Sequence, residues 1–136
     1  MHTIRLRRPW LRSLDPQSPP QKVDVPDTAP ATAPEGSVIS YRRVFNRPTG
    51  LTPADVVWLS LPHHTAESIE IRINDALVHQ SVHQSVQQSK TTAPIRIDIT
   101  ARLQPANQLV ITLTTGRTFP ATLDAPVTLE IESDAP

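Results

Sequence analysis

The chain has 136 residues, enough for one domain with a single modest core and too few for two. Thirteen Lys and Arg balance thirteen Asp and Glu, so no global field draws it to nucleic acid or to a membrane surface, and neither is expected as a partner. There is no cysteine, which removes a disulfide framework, a CxxC redox site and thiolate metal centres; fifteen prolines against three glycines imply a small core with proline-punctuated extended segments.

The first twelve residues, MHTIRLRRPWLR, hold four Arg and no acid. They lack the apolar stretch of about 7–15 residues that marks a secretory signal. No later run reaches the ~18 apolar residues of a membrane helix. A soluble, cytoplasmic protein is therefore expected. An arginine-rich start without acids also marks an organelle transit peptide, but Ile4 and Leu6 alternate ahead of Pro9-Trp10 as in a short strand. Residues 1–14 are accordingly assigned to an N-terminal strand joining the folded domain.

Residues 15–36, DPQSPPQKVDVPDTAPATAPEG, contain six of the fifteen prolines. Proline fixes φ and removes a donor, so this segment is read as an extended linker or an arm draped on the domain. Val23 and Val25 alternate around Asp24 and predict one short edge pairing within it.

From Ser37 the hydrophobic period becomes two, the mark of half-buried strands, and residues 37–136 are read as the main domain. SVISYRRVF (37–45) sets Ile39, Tyr41 and Phe45 on one face with Arg43 among them, at a sheet end or paired. VVWLSLP (56–62) turns Val57, Leu59 and Leu61 inward and Trp58 outward. SIEIRIND (68–75) and APIRIDIT (93–100) alternate isoleucines with Glu70, Arg72, Arg96 and Asp98. NQLVITLTT (107–115) and PVTLEIE (126–132) close the series. Turn residues separate these segments, and Thr100 is expected to cap a single helical turn. At least six strands with short spacers predict an all-β fold, an antiparallel β-sandwich with a Pro-rich arm. The basic start and the acidic end, with Asp124, Glu130, Glu132 and Asp134, would suit neighbouring edge strands or subunit contacts, the plainer alternative being solvated surface charge. VHQS at 78–81 recurs at 82–85 and as VQQS at 86–89, read as a strand start that becomes a long loop.

Four segments carry a family resemblance. YRRVFNRP (41–48), VWLSL (57–61), IRIND (71–75) and above all DITARLQPANQLVITL (98–113) are similar to the jelly-roll sugar-binding domain at the N-terminus of family 2 glycoside hydrolases, such as β-galactosidases and β-glucuronidases, within the galactose-binding-like superfamily. The resemblance covers the central half of the chain and implies a jelly roll of galactose-binding-domain type. Asp75 stands where the family has a turn glycine, which predicts a different turn type or an Asx-mediated turn. The His-Gln repeat stands where the family has a glycine-rich loop, and the family's catalytic barrel has no counterpart among these residues. Bound calcium is common in the superfamily, but no DxDxD-type loop is present to hold it.

Chemistry is sparse. Glycoside hydrolysis needs two facing carboxylates, whereas Glu67 with Glu70, and Glu130 with Glu132, read as solvated faces. No GxSxG elbow exists. His63 and His64 follow a strand, and His79 and His83 are spaced for a metal only if their segment were helical, so neither metal nor cofactor is expected. Trp58 is an outward aromatic that could stack on a sugar; the favoured reading is cover by the arm or by Trp10, since Val56 shares its face. Arg72, with Arg42 and Arg47, supplies donors. Trp58, His63, His64 and Arg72 thus form the candidate ligand-binding set. The functional reading is a non-catalytic structural or protein-interaction module that associates with a protein partner or with itself. The alternative is a carbohydrate-binding module of the galactose-binding-like type.

Overall fold

Alternating aliphatic and polar residues build ten strands in a computed structural model that describes residues 2–14, 19–27, 34–82, 94–116 and 121–133. They are β1 (His2–Arg5), β2 (Trp10–Ser13), β3 (Gln21–Val23), β4 (Val38–Asn46), β5 (Val56–Leu61), β6 (Ser68–Ile73), β7 (Ala76–Val82), β8 (Ile95–Asp98), β9 (Ala106–Thr114) and β10 (Thr128–Glu132). A four-stranded sheet runs β1-β10-β5-β8, and a six-stranded sheet runs β3-β2-β4-β9-β6-β7. Every pairing is antiparallel. The helical content of the described residues is one 3-10 turn, Thr100–Arg102. The chain is an all-β sandwich of the jelly-roll type.

The inward residues of the two sheets share one core. Val57, Leu59 and Leu61 of β5 and Leu129 of β10 join Ile69, Ile71 and Ile73 of β6 and Leu109, Ile111 and Leu113 of β9, each 1% exposed or less. Each such side chain contributes about 1.5–3 kcal/mol by leaving water. This burial sets register, because a one-residue slip would turn a whole isoleucine row into solvent.

The N-terminal residues form two strands, not one. β1 pairs with β10 in the smaller sheet, and β2 pairs with β4 in the larger. Between them Leu6 is buried, and its carbonyl accepts the indole Nε1–H of the fully buried Trp10 at 2.8 Å. The arm contributes β3 as an edge strand on β2, followed by Val25, which is buried. Residues 15–18 and 28–33 of the arm lie outside the described residues. Asp27 ends this stretch inside the protein, where its Oδ2 accepts Arg12 Nη1 at 2.5 Å and the Tyr41 hydroxyl at 2.7 Å.

Two local expectations change. Asn74 and Asp75 both take positive φ, 51° and 69°, the signature of the I′ hairpin that a glycine would serve. The turn type is therefore retained, because Asn and Asp tolerate the left-handed region. Nor is the Asn74 side chain spent on its own turn, since its Oδ1 accepts Gln108 N–H at 2.9 Å and its Nδ2 donates to Asn107 Oδ1 at 3.0 Å. Thr100 is not the cap of the 3-10 turn. Asp98 Oδ1 accepts from Thr100 N at 3.0 Å and Thr100 Oγ1 at 2.6 Å, and these bonds lower the Asp98 pKa. The Thr100 hydroxyl in turn accepts Val57 N–H at 2.9 Å, fastening the turn to β5. Of the repeat, residues 78–82 lie in β7, and 83–90 fall outside the described residues.

Candidate functional site

The alternation that buries Val57, Leu59 and Leu61 turns Val56, Trp58 and Ser60 to the outer face of the four-stranded sheet. Register then sets their neighbours. Trp58 lies between Glu130 of β10 and Asp98 of β8, and Ser60 lies between Thr128 and Arg96. From β8, Arg96 extends across β5, placing its guanidinium carbon 4.1 Å from the centroid of the Trp58 ring. The guanidinium continues to β10, with Nε 3.6 Å from Glu130 Oε2 and Nη2 3.6 Å from Glu132 Oε2. Trp58 Nε1 donates to Glu132 Oε2 at 3.0 Å.

One cation and two carboxylates thus converge on an indole that is only half buried. The hold on the ring is light. An exposed cation–π contact is worth about 0.5–1 kcal/mol, and the exposed ion pair to Glu132 about 0.2–1 kcal/mol, while Glu130 is set deeper, its side chain 18% exposed. A ligand offering an apolar face to the indole can displace the guanidinium at modest cost.

The expected cover of Trp58 by Trp10 is not found, because Trp10 belongs to β2 in the larger sheet and is consumed by the core. The described part of the arm also pairs with that other sheet. Arg96 provides the cover. Its outward direction is plain from the alternation of 93–100, but its proximity to Trp58 depends on β5–β8 pairing, which no local pattern encodes.

The other candidates are dispersed. Arg72 points outward from β6 in the six-stranded sheet, its Nε 3.0 Å from Glu70 Oε2 and its Nη1 3.3 Å from the Asp75 carbonyl. A sandwich thickness of about 10 Å separates that face from the one bearing Trp58. His63 and His64 follow β5. His63 Nδ1 lies 3.1 Å from Asp124 Oδ1, whose second oxygen accepts the Thr65 hydroxyl at 2.8 Å, while His64 is buried. His79 on β7 contacts Ser81 Oγ at 3.2 Å, and burial lowers its pKa; His83 lies outside the described residues. Among the described residues, no group of three or more His, Cys, Asp and Glu side chains is placed to hold a metal ion. No helix among them is long and apolar enough to cross a membrane.

Neither a family model nor a curated protein matches the chain. Solved structures do. The FMN-binding beta-glucuronidase from Facaelibacterium prausnitzii L2-6 superimposes with a TM-score of 0.74 at 17% identity, covering 96% of this chain and 22% of that one. The beta-D-mannosidase from Dictyoglomus thermophilum gives 0.73 at 12% identity, with 96% and 22% covered. A putative beta-galactosidase from Bacteroides fragilis gives 0.71 at 15% identity, with 96% and 23% covered. The chain spans less than a quarter of each of these enzymes. At these identities the likeness is one of fold, and it bears out the jelly roll that the sequence resemblance implies.

Proposed function

We propose that the chain is a non-catalytic carbohydrate-binding module whose platform is Trp58. The observation that carries this reading is an indole on an outer sheet face with Arg96, Glu130 and Glu132 converging on it. A sugar needs that combination: its C–H face packs on the ring while its hydroxyls meet charged donors and acceptors. The likeness of fold to three sugar-cleaving enzymes supports the ligand class, although a fold does not by itself assign a function.

In this reading the sugar replaces the Arg96 guanidinium over the ring. Arg96 then swings to a hydroxyl, and the two glutamates accept hydroxyl protons in hydrogen bonds. Nothing is cleaved, and Arg72 and the His63–His64 pair take no part. Titration calorimetry with galactose, mannose and glucuronate oligosaccharides tests it. At least one is expected to bind at millimolar concentration, with Trp58→Ala weakening it about tenfold. No saccharide binding, or equal binding by the variant, would overturn the proposal.

A second reading, the structural or protein-interaction module, is favoured by β7. This outermost strand carries no Lys, Arg, Asp or Glu, and Leu77 and Val82 on it are 44% and 67% exposed. Edge strands are ordinarily blunted by charge. Light scattering that shows a strict monomer at high concentration would remove the self-associating form of this reading.

A further inference from the structure

Beside β1 lies a concavity that the Trp58 platform leaves unused. Leu6 and Val25 are drawn into the core, and the backbone around them is tied by Leu6 N to Val127 O at 2.9 Å and Val25 N to Arg7 O at 3.1 Å. Burying Leu6 turns its neighbours Arg5 and Arg7 to solvent. Together with Arg8, Asp24, Val25 and Pro26 they line a shallow cleft of about 230 Å³. One acid stands among three cations: Asp24 Oδ1 is 3.8 Å from Arg8 Nε, and both side chains are largely exposed. Neither Arg5 nor Arg7 meets an acid among the described residues. A chain of zero net charge therefore gathers a local excess of positive charge in one concavity with anchored walls.

We propose that this cleft is an oxyanion-binding subsite, taking a carboxylate, sulfate or phosphate group that is either free or carried on a sugar. Guanidinium forks bind such groups through paired N–H donors, and a concave cationic surface concentrates anions from solution. The core anchors at Leu6 and Val25 hold the backbone of both walls, so binding orders only the arginine tips. Arg5 shares its outward face with Trp58. β1 and β5 are separated by β10, and the two residues are offset by one outward step, which places their Cα atoms roughly 12 Å apart.

The test uses the full chain and begins with inorganic sulfate, followed by NMR chemical shifts against sodium chloride at matched ionic strength. A saturable response to sulfate at millimolar concentration, centred on Arg5, Arg7 and Arg8, is expected. Arg5→Gln/Arg7→Gln should weaken it about tenfold or more. Arg42→Gln, an exposed arginine on the other sheet, should leave it unchanged. Asp24→Asn removes the competing acid and should tighten binding up to about fivefold, an effect that a merely structural Asp24 would not produce. Galacturonate and galactose form the second arm. Galacturonate binding more tightly than both galactose and sulfate assigns the oxyanion to a sugar, and sulfate binding at least as tightly assigns it to a free ion. No saturable response beyond chloride, or an undiminished one in Arg5→Gln/Arg7→Gln, overturns the proposal. Because sulfate carries no sugar ring, its result is read separately from that of the Trp58 platform.

Discussion

Replacing Asp27 by alanine should be among the most damaging single changes in this chain. Asp27 is 6% exposed and Arg12 8%, so the 2.5 Å bond between them is a buried ion pair, with the Tyr41 hydroxyl sharing the same carboxylate oxygen at 2.7 Å. Alanine would leave a guanidinium in the interior without its carboxylate, and a phenol without its acceptor. Breaking such a pair from one side costs about 3–5 kcal/mol, against a total stability of about 5–15 kcal/mol for a domain. At roughly 3–4 °C per kcal/mol for a chain of this size, the melting temperature should fall by about 10–20 °C. Tyr41→Phe, which removes one hydrogen bond to a charged group and leaves the ion pair standing, should cost about 1.5–3 kcal/mol. The apolar triple variant Arg12→Met/Asp27→Leu/Tyr41→Phe should recover most of the loss, since well-packed hydrophobic residues often replace a buried ion pair without penalty. Urea unfolding followed by circular dichroism and by the fluorescence of the two tryptophans, of which Trp10 is buried, measures all three. A cost below about 1 kcal/mol for Asp27→Ala, or a triple variant as unstable as the single one, would refute the reasoning.

The same network carries a pH dependence. Burial first, and then the bond to Asp27, push the Tyr41 pKa from 10.0 to about 12. The native state therefore holds this proton more tightly than the unfolded chain, so the contribution is whole below pH 10 and is lost as pH rises through 12. Urea unfolding across that interval should show a decline that Tyr41→Phe flattens; an identical slope in both proteins would count against it. Asp75→Gly should stabilise the β6–β7 hairpin by up to about 1 kcal/mol, because glycine meets no Cβ penalty at φ 69°, and Asp75→Ala should destabilise it, as calorimetric melting will show. Asn107 is 2% exposed, accepts from Gln104 N and Asn74 Nδ2, and donates to the Gln104 and Phe45 carbonyls. Asn107→Ala should cost about 2–4 kcal/mol by leaving buried backbone groups unmet, whereas a denaturation midpoint within error of wild type would show that water replaces the amide.

Strand periodicity reveals much of this fold because burial acts on every second residue. Ile69, Ile71 and Ile73 declare their inward face without help from the rest of the chain. The DITARLQPANQLVITL segment goes further, since Asp98 closes onto Thr100 and Asn107 onto Gln104 within it, but the bonds of Thr100 to Val57 and of Asn107 to Asn74 and Phe45 reach outside it and are not legible there. What sequence does not disclose is lateral order. That β8 and β10 flank β5 is decided by how the two sheets share the core, and the meeting of Arg96, Trp58 and Glu132 follows from that order alone. Arg72 illustrates the converse: it alternates outward as clearly as Trp58, yet it belongs to the other sheet. The role of Arg12 is hidden for a different reason. On β2 it shares a side with fully buried Trp10, and only the arm's return along β2 brings Asp27 to it. A charged residue in an apolar row signals a buried partner, but its sequence position does not say which one.

The antiparallel pairing of β1 with β10 sets His2 opposite Ile131. Facing residues in such a pair are about 5 Å apart, so the outer ends of these two strands meet at one corner of the smaller sheet. A circularly permuted chain, joined there by a short linker and reopened at the Pro48–Gly50 turn, would keep every strand pairing. Reopening it between Gln21 and Asp27 would instead loosen the tether that holds Asp27 beside Arg12. Folding of the first permutant and not of the second would separate the order in which these strands are synthesised from the architecture they form.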